Sequence, residues 1–313
     1  MLIFFQELCL QLFLWMLKVI DGLMEIFSAI SGVTNVNYHG KSVNIIEFLA
    51  GDSTVMTIFW CIFILSVGLT CIFTIVGLVK NMLANNRNVS TIVGKFFLSL
   101  LGTMAMLAVV FLGILIANSL LQLLARIFQI GNTTKLSNSL FNACVGNWIN
   151  GYNIGKIDVT SLSVGDIFGG YNAALFGIWP TSWKCNGMVN PNTFMYLPCL
   201  ISGIALCIAL IIAVLNLAKR IYEIIFMFFC MPVSMSTLPL DDGARFKNWR
   251  EQFLTKIILA YGAVLSVNVF VLILPFIQQM SIPSVGGFAN SMVTVVWIVG
   301  GGMVLRAGLT LFA

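Results

Sequence analysis

Charge is scarce in this chain. Asp, Glu, Lys and Arg make up 9% of its residues, against about a quarter in a soluble globular domain. Histidine is rarer still: His39 is the only one, and no CxxC pair occurs among the eight cysteines. A His/Cys zinc site therefore has no ligand set to build on. The motifs that mark common enzymes are missing too. There is no G-x-S-x-G, no H-E-x-x-H and no phosphate loop of the G-x-x-x-x-G-K form. No catalytic, cofactor-binding or metal-ligating residue is predicted, and the chain is not expected to be an enzyme. The net charge of +5 is not a nucleic-acid footprint. The bases are scattered, and the pI of 8.8 lies below the range of about 9 and above that is usual for nucleic-acid-binding domains.

What the chain has is apolar surface. Hydrophobic residues reach 59% and the mean hydropathy is +1.01. No soluble core absorbs that many apolar side chains, whereas a bilayer does. The apolar runs are too long and too continuous for barrel strands, which alternate over about ten residues. The expected fold class is an all-α polytopic membrane protein. It would have about five transmembrane helices, an N-terminal amphipathic helix and a broken helix on the cytoplasmic side.

Residues 1–31 lack the basic n-region and cleavage site of a secretory signal. Their polar members Glu7, Gln11, Lys18, Asp21 and Glu25 fall within a stripe of ~80° at helical spacing. Such a helix can lie in the membrane interface, or pack its stripe against partner subunits or an aqueous lumen. An interfacial or packed position is preferred to a crossing, because charges that face lipid are costly.

Residues 34–54 form a polar connector. Spans are expected near 55–78, 96–123, 194–217, 253–278 and 288–305. The segment 218–239 has an apolar stretch of only about 15 residues, short of the ~20 that a span needs, and Pro232 is expected to break it. The basic loop at 80–95, the bases Lys219 to Lys256 and Arg306 all fall on one side if 218–239 does not cross. By the positive-inside rule that side is cytoplasmic, with the N-terminus outside and the C-terminus inside. The chain then reads as four segments. Residues 1–54 hold the amphipathic helix and connector, and 55–123 a transmembrane hairpin. Residues 124–193 form an extracytoplasmic loop, and 194–313 a C-terminal bundle with a cytoplasmic elbow at 218–252.

Two regions stand out. The loop at 124–193 carries Trp148, Trp179, Trp183, Tyr152, Tyr171 and Phe168, which suit a small folded cap or contact with the outer interface. It also holds Cys144 and Cys185, its only two cysteines, which outside the membrane can close a disulfide. The remaining helical cysteines Cys61, Cys71, Cys199, Cys207 and Cys230 read as small packing residues. Ser66, Ser99 and Asn268 read as helix-packing groups, as do the glycines at 300–302.

The second region is LDDGARFKNWRE at 240–251, which holds six of the 27 charged residues between strongly apolar flanks. Asp241 and Asp242 are placed to cap a helix that starts near Gly243 or Ala244. Arg245, Lys247 and Arg250 can reach lipid phosphates, and Trp249 suits the interface. The elbow is either an ordinary charged cytoplasmic loop or a docking surface for a cytoplasmic partner.

The layout and the run MPVSMSTLPLDDGARFKNWREQFLTKIILAYG at 231–262 resemble the polytopic channel subunits of type IV secretion and conjugation machines. The likeness is to the TrbL/Vir-type proteins of Gram-positive conjugative elements. It implies a cell-membrane subunit in several copies, beside a transfer ATPase and small membrane subunits. Such subunits help pass single-stranded DNA with its attached relaxase through the membrane. No cofactor is implied. The alternatives are a small-solute transporter or ion channel, which would show internal repeats, and a membrane-embedded enzyme or assembly factor, which would need a convergent polar site.

Overall fold

The structure is a computed structural model. It describes residues 2–32, 36–38, 41–43, 52–83, 89–131, 135–145, 158–172, 182–184, 187–192, 194, 196–279, 292–293 and 295–302. Its long elements are α1 (Leu2–Ile30), α2 (Ser53–Leu83), α3 (Val89–Gly131), α6 (Tyr196–Ser236) and α8 (Ala244–Gln279). Between them lie the short helices α4 (Leu136–Val145), α5 (Val164–Phe168) and α7 (Leu238–Asp241). Two small antiparallel ribbons pair β1 (Val36–Tyr38) with β2 (Lys41–Val43) and β3 (Tyr171–Asn172) with β4 (Ser182–Trp183).

The fold is all-α, as expected. Among the described residues, five helices are long and apolar enough to cross a membrane: Ile3–Ile30, Ser53–Leu83, Ser90–Gly113, Tyr196–Ser236 and Ala244–Ile273. The chain is a multi-pass membrane protein. The five are not the expected set. α1 joins them, while the span expected at 288–305 lies partly outside the described residues, with 295–302 helical. α1 is counted despite its polar stripe because its other faces are apolar. Phe4, Phe5, Leu8, Leu12 and Trp15 are exposed, and Leu10, Phe13, Leu17 and Ile20 are buried.

Two further departures concern length. α6 runs unbroken for 41 residues with Pro232 inside it, where the sequence suggested a span ending near Leu217 and a break at Pro232. The break lies instead at Thr237 and at Asp242–Gly243. Proline removes one ladder bond, but Phe228, Met231 and Met235 around it are buried, and packing of this kind sustains helices against poor local propensity. At 1.5 Å per residue, 41 residues span about 62 Å, twice the hydrocarbon thickness of about 30 Å. α3, of 43 residues, is longer again, and its last turns occupy part of the segment expected as loop. Helix wins there because residues 124–131 read LARIFQIG, with no proline and mostly good helix formers before the final glycine.

The chain forms two compact units, discontinuous in sequence. One comprises Met1–Phe27, Ala125–Asn216 and Ala263–Ala313; the other comprises Ser28–Leu124 and Leu217–Gly262. In the first, α1 and α6 run in the same direction: Phe13 meets Phe194 with ring centroids 6.2 Å apart, and Cys207 Sγ approaches the Met16 carbonyl at 3.8 Å. Gly203 permits this, since a Cβ there would stand 3.0 Å from Met16 Cε. Gly301 and Gly302 serve close packing too: added Cβ atoms would meet Phe270 at 2.5 Å and Leu206 at 3.1 Å. Phe168, Trp183, Phe194 and Tyr196 form an aromatic cluster with centroids 4.9–6.1 Å apart, so this part of the 124–193 region packs around a small aromatic core. Trp148, Tyr152 and Trp179 lie outside the described residues, as do His39 and Arg306.

In the second unit, Phe59, Val110, Phe228, Met231, Trp249 and Phe253 make one apolar core. Phe59 of α2 stacks on Phe228 of α6 at 5.0 Å. The chain order along the contacts sets α2 in the direction of this part of α6, and α3 and α8 against it.

Candidate functional site: the charged corner

The corner is built in the second unit from the end of α6, from α7 and from the start of α8. A helix end leaves four carbonyls without intrahelical donors, and apolar surroundings make that expensive. Hydroxyls meet three of the four here. Ser236 Oγ donates to the Val233 carbonyl at 2.6 Å. Thr237 Oγ1 donates to Ser234 at 3.0 Å, and Ser99 Oγ, from α3, donates to Met235 at 2.8 Å. The SMST run at 234–237 is thus a stop signal written in hydroxyls. Pro239 sits in the first turn of α7, where a missing N–H costs nothing.

Asp242 (φ 57°) and Gly243 (φ 83°) then turn the chain through left-handed backbone. Glycine adopts this freely, and aspartate more readily than most residues. α8 begins at Ala244, within the expected window, with Lys247 N–H donating to the Gly243 carbonyl at 2.9 Å. Asp241 Oδ1 accepts from Gly243 N–H at 3.2 Å. Its other oxygen is approached by Arg245 Nε at 3.5 Å. Asp242 pairs instead with Lys95 at the start of α3. Neither aspartate takes the capping role expected of both: Asp241 closes the turn that leads into α8 through the Gly243 N–H, and Asp242 ties the corner to another helix.

A second ionic group lies close by in sequence. Glu223 receives Lys256 at 2.8 Å, Arg220 at 3.2 Å and, weakly, Lys219 at 3.9 Å. One carboxylate thus gathers three bases and links α6 to α8. Lys247 and Arg250 differ: they are exposed and have no ion-pair partner among the described residues. They lie three apart on α8, so they share a face.

Trp249 corrects the sequence reading. Expected at the membrane interface, it is only 7% exposed. Its ring stacks between Phe246 at 5.6 Å and Phe253 at 5.0 Å. Its indole N–H donates to the Met227 carbonyl at 2.8 Å. The aromatic and cationic sides of this amphipathic turn are separate faces of α8, and the tryptophan belongs to the core face.

The N-terminal stripe is only partly engaged. Asp21 Oδ2 accepts from Ser137 Oγ of α4 at 2.8 Å, and Gln6, buried beside the stripe, accepts from Trp183 Nε1 at 3.0 Å. Gln11 and Lys18 are exposed and Glu7 is half-buried, while Glu25, also exposed, acts on the Lys135 charge. Below Asp21, Lys135 and Asp158 pair at 2.5 Å. The hydrogen bond from Lys135, then that from Thr160, holds the Asp158 carboxyl below its usual value, and Asp158 raises the Lys135 ammonium. Asn138 Oδ1 accepts from Val159 N–H at 3.0 Å. Cys144 is buried, its sulfur 3.9 Å from Ser202 Oγ of α6, while Cys185 lies outside the described residues.

Sequence reasoning missed Lys95, Ser234–Thr237 and Glu223 as parts of the corner. Lys95 was legible only as a topology marker, because its partner is 147 residues away. The SMST run carried a local signal that the proline overshadowed.

No family model, curated protein or solved structure matches this chain significantly.

Proposed function

We propose that this chain is a membrane subunit of a bacterial conjugation machine of the type IV secretion kind. It sits in the cytoplasmic membrane in several copies and helps pass single-stranded DNA with its relaxase. The observation that carries the reading is the run at 231–262, which bears the resemblance to TrbL/Vir-type subunits. That run is a single structured corner, with Asp241 and Asp242 engaged and Lys247 and Arg250 left exposed and unpaired among the described residues. A corner with fixed backbone and free cations suits docking of an acidic cytoplasmic surface, such as that of a transfer ATPase, or of lipid phosphates. In this reading the corner is cytoplasmic, the N-terminus and the cap at 158–192 are outside, and the C-terminus is inside. The exposed apolar faces of α2 and α3 are covered by lipid, by small membrane subunits and by other copies. The chain scaffolds the route and does not grip DNA, since tight binding would need a dense basic stripe.

The test is an in-frame deletion of the gene in a donor strain, with mating frequency scored and the intact gene supplied in trans. Loss of transfer that the intact gene restores supports the reading. Normal transfer with verified absence of the protein sinks it.

A further inference from the structure

The sequence allows a bridge between Cys144 and Cys185, and the structure sets Cys144 against the helix turn that carries a different cysteine. Cys144 lies in the last turns of α4, and Cys199 in the first turn of α6. Cys199 and Ser202 are three residues apart and so share one helix face. Ser202 Oγ donates to the Cys199 carbonyl at 3.0 Å, and the Cys144 sulfur lies 3.9 Å from that same hydroxyl. Cys144 therefore sits over the 199–202 turn, against the helix face that carries Cys199. Cys144 is 1% exposed and Cys199 0%. Both are free thiols.

We propose that Cys144 and Cys199 are a redox pair whose disulfide pins α4 to α6. A disulfide needs Cβ atoms about 3.5–4.5 Å apart, and the contact of Cys144 with the 199–202 turn brings the two cysteines close enough for side-chain rotation and a small shift of α4 to close it. The step is a two-electron oxidation. Both S–H bonds are lost, one S–S bond forms, and two protons and two electrons pass to the disulfide of a thiol–disulfide oxidant, which leaves as a dithiol. Burial keeps a bulky oxidant out of the finished contact. The bridge therefore forms while α4 is still docking, or with a small oxidant afterwards. α4 also carries Ser137, which binds Asp21, and Asn138, which binds Val159. The bridge thus fixes the helix that organises these contacts. The inference is independent of the conjugation reading.

The experiment uses the full chain in isolated membranes, treated with diamide, then denatured and labelled with a maleimide polymer. The expected result is that two of the eight cysteines escape labelling until reductant is added, and that non-reducing digestion yields a peptide pair joining Cys144 to Cys199. Cys185→Ser keeps the bridge and Cys199→Ser abolishes it. If Cys199→Ser fails to accumulate, the peptide map of the unaltered chain decides alone. A Cys144–Cys185 peptide pair overturns the proposal, and so does full labelling of all cysteines after oxidation.

Discussion

Ser99 Oγ donates a 2.8 Å hydrogen bond to the main-chain carbonyl of Met235, 136 residues further along the chain, and both residues are buried. One helix thereby caps the end of another. Ser99→Ala leaves that carbonyl with no donor from α3 and should cost about 1–3 kcal/mol. Thermal unfolding of the purified protein in detergent measures this, and an unchanged transition would show that another group takes over the cap.

Two glycines of the same unit make a ranked pair. A Cβ at Gly77 would stand 3.0 Å from the Pro239 carbonyl oxygen, whereas at Gly102 it would meet Met235 Cε at 2.7 Å. The Gly102 contact is shorter, but the methionine end can swing away and the backbone at Pro239 cannot. Gly77→Ala should therefore destabilise by about 1–3 kcal/mol, and Gly102→Ala by less. Comparing the two melting temperatures checks the order; the reverse order would mean that the α7 backbone is the softer partner.

Trp249 separates packing from hydrogen bonding. Trp249→Ala removes both ring stacks and opens a cavity, costing about 3–5 kcal/mol. Trp249→Phe keeps a ring and loses only the bond to Met227, costing about 1 kcal/mol. Fluorescent-fusion melting curves would resolve the difference. Equal, small effects in both variants would place the residue at the surface after all.

The Lys135–Asp158 pair sets a pH window. The Asp158 carboxyl is lowered on folding, so its contribution is complete above the unfolded value of about 3.9 and fades as pH falls through the folded value. The Lys135 ammonium is raised, so its contribution is complete below about 10.4 and fades as pH rises through the folded value. Stability from this pair should be level between pH 5 and 9 on the order of experimental error and should decline outside. Both side chains are about half exposed, so the effect is small. Asp158→Asn should remove the pair's share of the acid limb in a melting-temperature series; an unaltered acid limb would assign it to other carboxylates, such as Asp52 or Asp166, each held low by its helix-cap hydrogen bonds.

The corner yields a functional prediction. Arg245 already faces Asp241, so neutralising it removes less free charge than neutralising Lys247 and Arg250. Lys247→Gln with Arg250→Gln should lower mating frequency about tenfold, the equivalent of about 1.4 kcal/mol lost at a docking surface. Arg245→Gln should do less. Undiminished transfer by a normally abundant double variant would remove the corner from the docking model.

The helices were legible because the bilayer imposes a crude, strong rule: some twenty apolar residues in a row. Where α8 starts was also legible, since the charged run after an apolar stretch marked a helix beginning near Gly243 or Ala244. What escaped were decisions made between distant segments. Pro232 reads as a break in isolation but lies inside a helix flanked by buried Phe228 and Met231. Trp249 reads as an interface residue until Phe246, Phe253 and the Met227 carbonyl surround it. Cys144 could be paired only with the cysteine nearest in kind, because nothing local places Cys199 beside it. The identity of Lys95 as the partner of Asp242 likewise had no local trace.

The hydrogen bond from Trp183 to Gln6 joins residues 177 positions apart, within a unit assembled from three separate stretches of chain. At 5–20 residues per second, the ribosome needs roughly 10–35 s to deliver the second partner after the first. Through that interval α1 is without these later neighbours, and its buried glutamine is without its Trp183 donor. Biogenesis thus has a waiting step, in which α1 is made well before the segment that completes its packing.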